Sequence, residues 1–151
     1  MSGPREQGFA LDPRLAADTA FIADWQLSRV LLMDDARFPW LILVPRRARL
    51  TELHEMPGAE QSLLLQEINH ATGLLRATVT FDKLNLGALG NVVRQLHVHV
   101  VARREGDAAW PGPVWGAGAA TRYEPAARER FLEHLRSARA PSGGPSVLIC
   151  D

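Results

Sequence analysis

The fold is decided by one stretch, Gln95-Leu96-His97-Val98-His99-Val100-Val101-Ala102-Arg103. Its even-numbered positions are all apolar, whereas positions 95, 97, 99 and 103 are polar. Because successive side chains on a β-strand point to opposite faces of the sheet, this alternation predicts a half-buried strand. The apolar side chains would pack into a core. Gln95, His97 and His99 would line the polar face, about 6.5 to 7 Å apart.

Two imidazoles on one rigid strand can act as nucleophile, proton donor or metal ligand. A zinc site is one alternative, because alternate histidines on a strand can both reach a single ion. Such a site needs a third protein ligand, and the remaining histidines, His54, His70 and His134, lie in or near predicted helices. We therefore expect no metal and no other cofactor. A second alternative is that both imidazoles face solvent without a function.

The composition narrows the range of partners. Lys and Arg total 17, as do Asp and Glu, so no bulk charge attracts nucleic acid or an anionic membrane. No apolar run approaches the roughly 20 residues of a membrane span. Residues 1–8 are polar and lack the apolar core of a signal peptide, and the single cysteine, Cys150, cannot form an intramolecular disulfide. We expect no nucleic-acid or membrane partner and a cytoplasmic location.

Hydrophobic periodicity predicts a chain that mixes helices and strands. The predicted helices are residues 9–17, 51–56 (one turn), 59–78 and 124–139, and the predicted strands are 21–25, 27–33, 40–44, 83–89 and the histidine strand. The first two strands would form a hairpin. Strand 40–44 is apolar throughout, which is typical of a central strand, and 83–89 would pair antiparallel with the histidine strand. Residues 140–151 are rich in Pro, Gly and Ser and are predicted to be a flexible tail.

The histidine strand resembles the signature of the histidine triad (HIT) family, His-φ-His-φ-His-φ-φ, where φ is apolar. Gln95 stands at the first histidine position, and the rest of the signature is intact. The resemblance runs from about Phe21 to about Arg104 and includes the Val44-Pro45-Arg46-Arg47 segment, an Asn-x-Gly at Asn85 and a Gly90-Asn91 loop. It implies an α+β domain over residues 1–139, with an antiparallel sheet of about five strands, one main helix and a C-terminal helix. It also implies a homodimer that takes a nucleotide or nucleotide-conjugate substrate.

The resemblance further implies the roles of the signature residues. The middle histidine, His97, would be the nucleophile that forms a covalent nucleotidyl-histidine. His99 would contact phosphate oxygens or assist the leaving group. The second ring nitrogen of the nucleophile needs an acceptor, and Gln95 still supplies a backbone carbonyl for this purpose. The Gln95 side chain can donate and accept hydrogen bonds, but it cannot titrate.

Four further features are candidates for the site. Asn85 would lie on the histidine side of the sheet as a phosphate or leaving-group contact, and Asn91 would contact phosphate through its backbone N–H unless it is simply a turn residue. Asp34 aligns roughly with the polar residue that binds ribose in relatives; a solvated turn aspartate is the alternative. Trp40 stands where relatives usually carry another histidine, and either core packing or base stacking would explain it. The loop 110–115 would close over the pocket or plug the core and dimer edge.

The predicted function is therefore that of an enzyme, a nucleoside-phosphate hydrolase or nucleotidyl transferase acting through His97. The alternative is a nucleotide-binding protein with little or no turnover, in which Gln95 and Trp40 have replaced residues that the chemistry needs.

Overall fold

A computed structural model describes residues 7–139, so the predicted tail at 140–151 lies outside the described residues. The helices are α1 (Pro13–Asp18), α2 (Gly58–Thr78) and α3 (Pro125–Ser137), with a single 3-10 turn at Leu53–Glu55. The strands are β1 (Thr19–Asp24), β2 (Ser28–Met33), β3 (Trp40–Pro45), β4 (Lys83–Gly87) and β5 (Val98–Arg103). Every predicted element is present, and most boundaries lie within a few residues of those expected.

The five strands form one sheet in the order β1-β2-β3-β5-β4, and every neighbouring pair is antiparallel. β1 and β2 form the predicted hairpin. β3 is central, and all six of its residues are buried, as a continuous apolar run requires. The prediction of an α+β fold with a five-stranded antiparallel sheet is confirmed.

One face of the sheet packs against the long helix α2. The apolar residues of α2 that are buried there recur at helical spacing; they are Leu64, Ala71, Leu74 and Leu75. They join the even-numbered side chains of β5 and two leucines of α3 in one core cluster. This face carries most of the apolar burial and fixes the position of β5.

The opposite face, which carries the two histidines, is also covered. A second core cluster lies on it, with contributions from α1, β2, β3 and the segment after β5; its buried members are Leu15, Leu31, Phe38, Trp40, Ile42, Val44, Val101 and Val114. All six residues of β5 are buried as a result. The prediction of a half-buried strand with an open polar face is therefore wrong, because α1 and the segment beyond residue 104 fold back over that face.

Candidate active site

His97 lies one residue before β5, and its ring is fixed by the backbone. Nδ1 of His97 is 2.6 Å from the carbonyl oxygen of Gln95. Because a carbonyl oxygen only accepts, Nδ1 must carry the proton that is donated in this bond. The other ring nitrogen, Nε2, then has a free lone pair in the neutral imidazole. This is the tautomer that a nucleophilic histidine needs.

His99 is held in the opposite tautomer. Its Nδ1 lies 2.9 Å from Nε1 of Trp40, and an indole N–H can only donate. Nδ1 of His99 is therefore the acceptor, and the proton of the neutral ring resides on Nε2. Burial, and then the neighbouring charge of His97, lower the pKa of His99 to about 3. The two imidazoles lie 4.9 Å apart between ring centroids, so a ring nitrogen with a free lone pair and a neutral N–H donor belong to neighbouring rings.

Two indoles enclose His99. The centroids of Trp40 and Trp115 lie 5.5 Å and 5.4 Å from that of its ring. Trp115 reaches the histidine because Gly87, which pairs with His99 across the sheet, has no side chain. A Cβ atom at Gly87 would lie only 2.8 Å from Cη2 of Trp115. The segment that contains Trp115 therefore lies over the histidines, and through Val114 it also packs into the second core cluster.

Asn85 lies on the histidine side of the sheet, as the antiparallel pairing predicted. Its Oδ1 accepts a hydrogen bond of 2.8 Å from Nη1 of Arg103, which turns Nδ2 of the amide away from Arg103. Arg103 is fully buried and also donates from Nε and Nη2 to the carboxylate of Asp107, at 2.7 and 2.8 Å. These bonds lower the pKa of Asp107 to about 2. This role of Arg103 was missed, although its place in the alternation of His97 and His99 indicated the shared face.

The side chain of Gln95 is bound by the segment that precedes α1. Gln95 precedes the first residue of β5, and its amide binds the segment before α1. Its Oε1 accepts from the backbone N–H of Asp12 at 2.9 Å, and its Nε2 donates to the carbonyl of Ala10 at 2.8 Å. The Gln95 side chain therefore anchors the N-terminal segment that covers the histidine face. The backbone carbonyl of Gln95, by contrast, accepts from His97 as predicted.

Asp34 is buried, so it is not a solvated turn residue. Its carboxylate accepts from Nη1 of Arg122 at 2.9 Å and from the backbone N–H of Tyr123 at 2.9 Å. Asp34 lines a cavity of about 330 Å³ that is bordered by Trp40 and Trp115 on the side of the histidines. The enclosed indole Nε1 of Trp115 has no hydrogen-bond partner among residues 7–139.

Asn91 is exposed, and it lies in the loop between β4 and β5. Together with Gly90 it lines an open cavity of about 240 Å³. Gly90 also lines the small crevice that His97 borders, so the loop passes beside the nucleophile candidate. Gly90 has a φ of +72°, a conformation that glycine adopts without strain.

The described part of the chain offers neither a cluster of metal ligands nor a helix that could span a membrane. Within residues 7–139, no group of three or more His, Cys, Asp or Glu side chains is arranged to hold a metal ion. None of the helices in this range has the length and apolar character needed to cross a bilayer.

Comparison with known proteins identifies the family. The HIT domain matches residues 14–106. The solved histidine triad protein from Bradyrhizobium japonicum is 44% identical, with a TM-score of 0.83 over 85% of this chain and 96% of that one. The histidine triad protein from Sinorhizobium meliloti 1021 is 45% identical, with a TM-score of 0.83 over 86% of this chain and 96% of that one. The protein from Marinobacter aquaeolei VT8 is 41% identical, with a TM-score of 0.80 over 85% of this chain and 93% of that one. No curated protein gives a significant match. From the domain match and these identities, the chain belongs to the HIT domain family.

Proposed function

We propose that the chain is a nucleoside-phosphate hydrolase or nucleotidyl transferase that forms a covalent nucleotidyl intermediate on His97. One observation carries this proposal. The hydrogen bond from Nδ1 of His97 to the carbonyl of Gln95 leaves the Nε2 lone pair free for attack on phosphorus. The same carbonyl stabilises the positive charge that the ring acquires once Nε2 is bonded to phosphorus.

The neighbouring groups supply donors for the phosphoryl oxygens. Nε2–H of His99 lies beside the ring of His97, and Nδ2 of Asn85 is a second donor on the same face of the sheet. The loop at Gly90 and Asn91 adds backbone N–H groups next to His97. In the first step the bond from phosphorus to the leaving group breaks as the bond to His97 forms. In the second step water or another acceptor attacks phosphorus and releases His97.

We place the nucleoside in the cavity beside Asp34. Its volume of about 330 Å³ falls at the lower end of the range of small-molecule sites. The indoles of Trp40 and Trp115 offer flat apolar surfaces there, and the unpaired N–H of Trp115 is a donor for a ligand acceptor. The carboxylate of Asp34 is the acceptor for ribose hydroxyls. Its partner Arg122 is largely exposed and can move into solvent, while Arg128 and the backbone N–H of Tyr123 remain beside the buried carboxylate.

A trapping experiment tests the proposal. A nucleotide with a labelled phosphorus and a good leaving group is mixed rapidly with the protein, and the labelled residue is identified. We expect acid-labile, base-stable label on His97, formed also in the presence of a chelator. His97→Ala should abolish turnover and labelling while changing nucleotide affinity less than about tenfold, or about 1.4 kcal/mol. His99→Ala should slow labelling without moving the label. Label on His99, or activity lost to chelator and restored by zinc, would contradict the assignment.

The second candidate function is nucleotide binding with little or no turnover. It is favoured by the low exposure of the two histidines, 7% for His97 and 5% for His99, beneath Trp115. The same experiment separates the two functions. If the wild-type protein and His97→Ala bind a nucleotide equally and neither releases product from any substrate, the chain is a binding protein.

A further inference from the structure

We propose that Trp40 is a positioning residue which holds His99 as a hydrogen-bond donor, and that the site in consequence acts on phosphoanhydrides rather than on phosphoramidates. This inference rests on the proposed function, because it concerns the leaving group of the same reaction. It assigns a role to Trp40 that neither core packing nor base stacking describes.

The Trp40 indole is held in place by its strand and by the aromatic rings packed around it. Trp40 lies on β3 and pairs with Val101, so its side chain projects on the histidine face of the sheet. The ring of Phe38 packs at 6.4 Å between centroids, and Trp115 packs at 6.3 Å. All these contacts are edge-on, and Trp40 is buried. The indole therefore cannot turn away from the imidazole of His99 without disrupting the core of this face.

This fixed indole N–H keeps the imidazole of His99 neutral. A proton on Nδ1 would bring two N–H groups together at the 2.9 Å separation of Trp40 Nε1 and His99 Nδ1. The other ring contacts of His99, with His97 and Trp115, supply no negative charge to offset this repulsion. Burial also lowers the pKa of His99, which favours the same neutral form of the ring. The Nε2–H group can therefore stabilise a charged oxygen by hydrogen bonding, but the ring holds no second proton to give away.

The absence of a proton donor at this position discriminates between leaving groups. When a P–O bond of an anhydride breaks, the electron pair stays on the oxygen of a phosphate or nucleotide anion, which is stable without a proton. When a P–N bond breaks, the nitrogen must receive a proton to leave as an amine. His99 has no acidic proton to supply, and Nδ1–H of His97 is bound to the carbonyl of Gln95. After the anhydride step, water attacks the nucleotidyl-histidine, and its protons pass to solvent and to the released nucleotide.

Nuclear magnetic resonance of the ¹⁵N-labelled full chain tests the role of Trp40. Two-bond ¹⁵N–¹H correlations distinguish the two neutral tautomers of each histidine. We expect His99 in the Nε2–H form near neutral pH in the wild-type protein. In Trp40→Phe, His99 should no longer be held in the Nε2–H tautomer. Trp115→Phe is the matched control and should keep that tautomer, because it removes an indole equally close to His99 that makes no hydrogen bond to Nδ1. An Nδ1–H tautomer in the wild type, or an unchanged His99 spectrum in Trp40→Phe, would overturn the inference. If Trp40→Phe does not fold, the tautomer of His99 in the wild-type spectrum alone supports or overturns the inference.

A pair of substrates with the same nucleoside tests the leaving-group preference. Release of AMP is measured from diadenosine triphosphate, which loses a nucleotide anion, and from adenosine 5′-phosphoramidate, which loses ammonia; the guanosine pair is measured in parallel. Because general acid catalysis contributes about 100-fold or more, we expect kcat/KM for the anhydride to be higher by at least about that factor. Equal or faster turnover of the phosphoramidate would refute the preference. No turnover of any of the four would instead count against the proposed function, and the NMR result would still judge Trp40.

Discussion

Replacing Gly87 by alanine would push a methyl group into the indole that covers His99. A Cβ atom at this position would lie 2.8 Å from Cη2 and 3.0 Å from Cζ2 of Trp115. The backbone of Gly87 does not have a positive φ, so the substitution introduces a steric conflict without backbone strain. Gly87 lies directly across the sheet from His99, and any movement of Trp115 must therefore change the surroundings of the imidazole.

The structure gives the size of this movement. Ordinary van der Waals contact begins at about 3.4 Å, so Cη2 of Trp115 has to retreat by about 0.6 Å, the difference between 3.4 and 2.8 Å. Trp115 is packed against both Trp40 and His99, which resist the shift. Overpacking of this kind costs about 1–3 kcal/mol of the free energy of unfolding. Because a displacement near 1 Å in an active site can cost 100-fold in rate, we expect kcat/KM to fall by about tenfold.

Denaturant unfolding and steady-state kinetics measure the two effects. Gly58→Ala is the matched control, since a Cβ there has no atom within 4 Å, and it should change neither quantity by much. Trp115→Phe removes the two carbons that clash. In a protein that already carries Trp115→Phe, Gly87→Ala should therefore lower the free energy of unfolding by less than about 0.5 kcal/mol, which is the deviation found between sites that do not interact. If Gly87→Ala destabilises the protein equally with Trp115 and with Phe at position 115, the steric account is refuted.

Two further predictions concern stability and assembly. Burial raises the pKa of Glu67 above its ordinary value of 4.5, so the folded state holds this proton more tightly than the unfolded state. Stability should therefore fall as the pH rises from that value through the folded pKa, by at most about 1.4 kcal/mol per pH unit. Denaturant unfolding measured over a pH series should show that Glu67→Gln removes this pH dependence of stability. Glu133→Gln, at an exposed position, should retain it. A pH dependence unchanged by Glu67→Gln would contradict the assignment. For assembly we propose a homodimer through α2 and the edge strand β4, where Leu65 and Leu86 are 58% and 50% exposed. Leu86→Lys should shift the sedimentation coefficient to that of a monomer, whereas Phe21→Lys, equally exposed on the other edge strand, should not; a wild-type monomer at micromolar concentration would refute the dimer.

Local sequence patterns were sufficient to predict most of the fold. The apolar run of β3 and the helical spacing of α2 are each decided by residues close together in the chain. The start of β5 was placed three residues too early because the alternation continues beyond the sheet. The paired positions of β3 and β5 end at Leu43 and Val98, and the next apolar residue, Leu96, donates its N–H to the carbonyl of Leu50 instead. Alternation reports which side chains are apolar, but it does not report where a partner strand ends.

The covering of the histidine face depends on contacts across much of the chain. Arg37 donates to the carbonyl of Ala117, and Asp34 accepts from the N–H of Tyr123, 89 positions away. These bonds hold the irregular segment between β5 and α3 over the sheet. A segment with several prolines and glycines has no periodic signal, so its path was not predictable from the sequence. The burial of His99, and with it the low pKa, follows from that path.

Gln95 and Trp40, the two residues expected from the sequence to depart from the family pattern, make different kinds of contact with the histidines. Any residue at position 95 supplies a backbone carbonyl for Nδ1 of His97, which frees its side chain to anchor the segment at Ala10 and Asp12. Position 40 has no such substitute, because the donor to Nδ1 of His99 is a side-chain group. The tautomer of His97 is thus set by the backbone, and the tautomer of His99 is set by one indole. Changes at Trp40 should therefore alter the chemistry of the site more than changes at Gln95, although Gln95 is the one that lies within the signature itself.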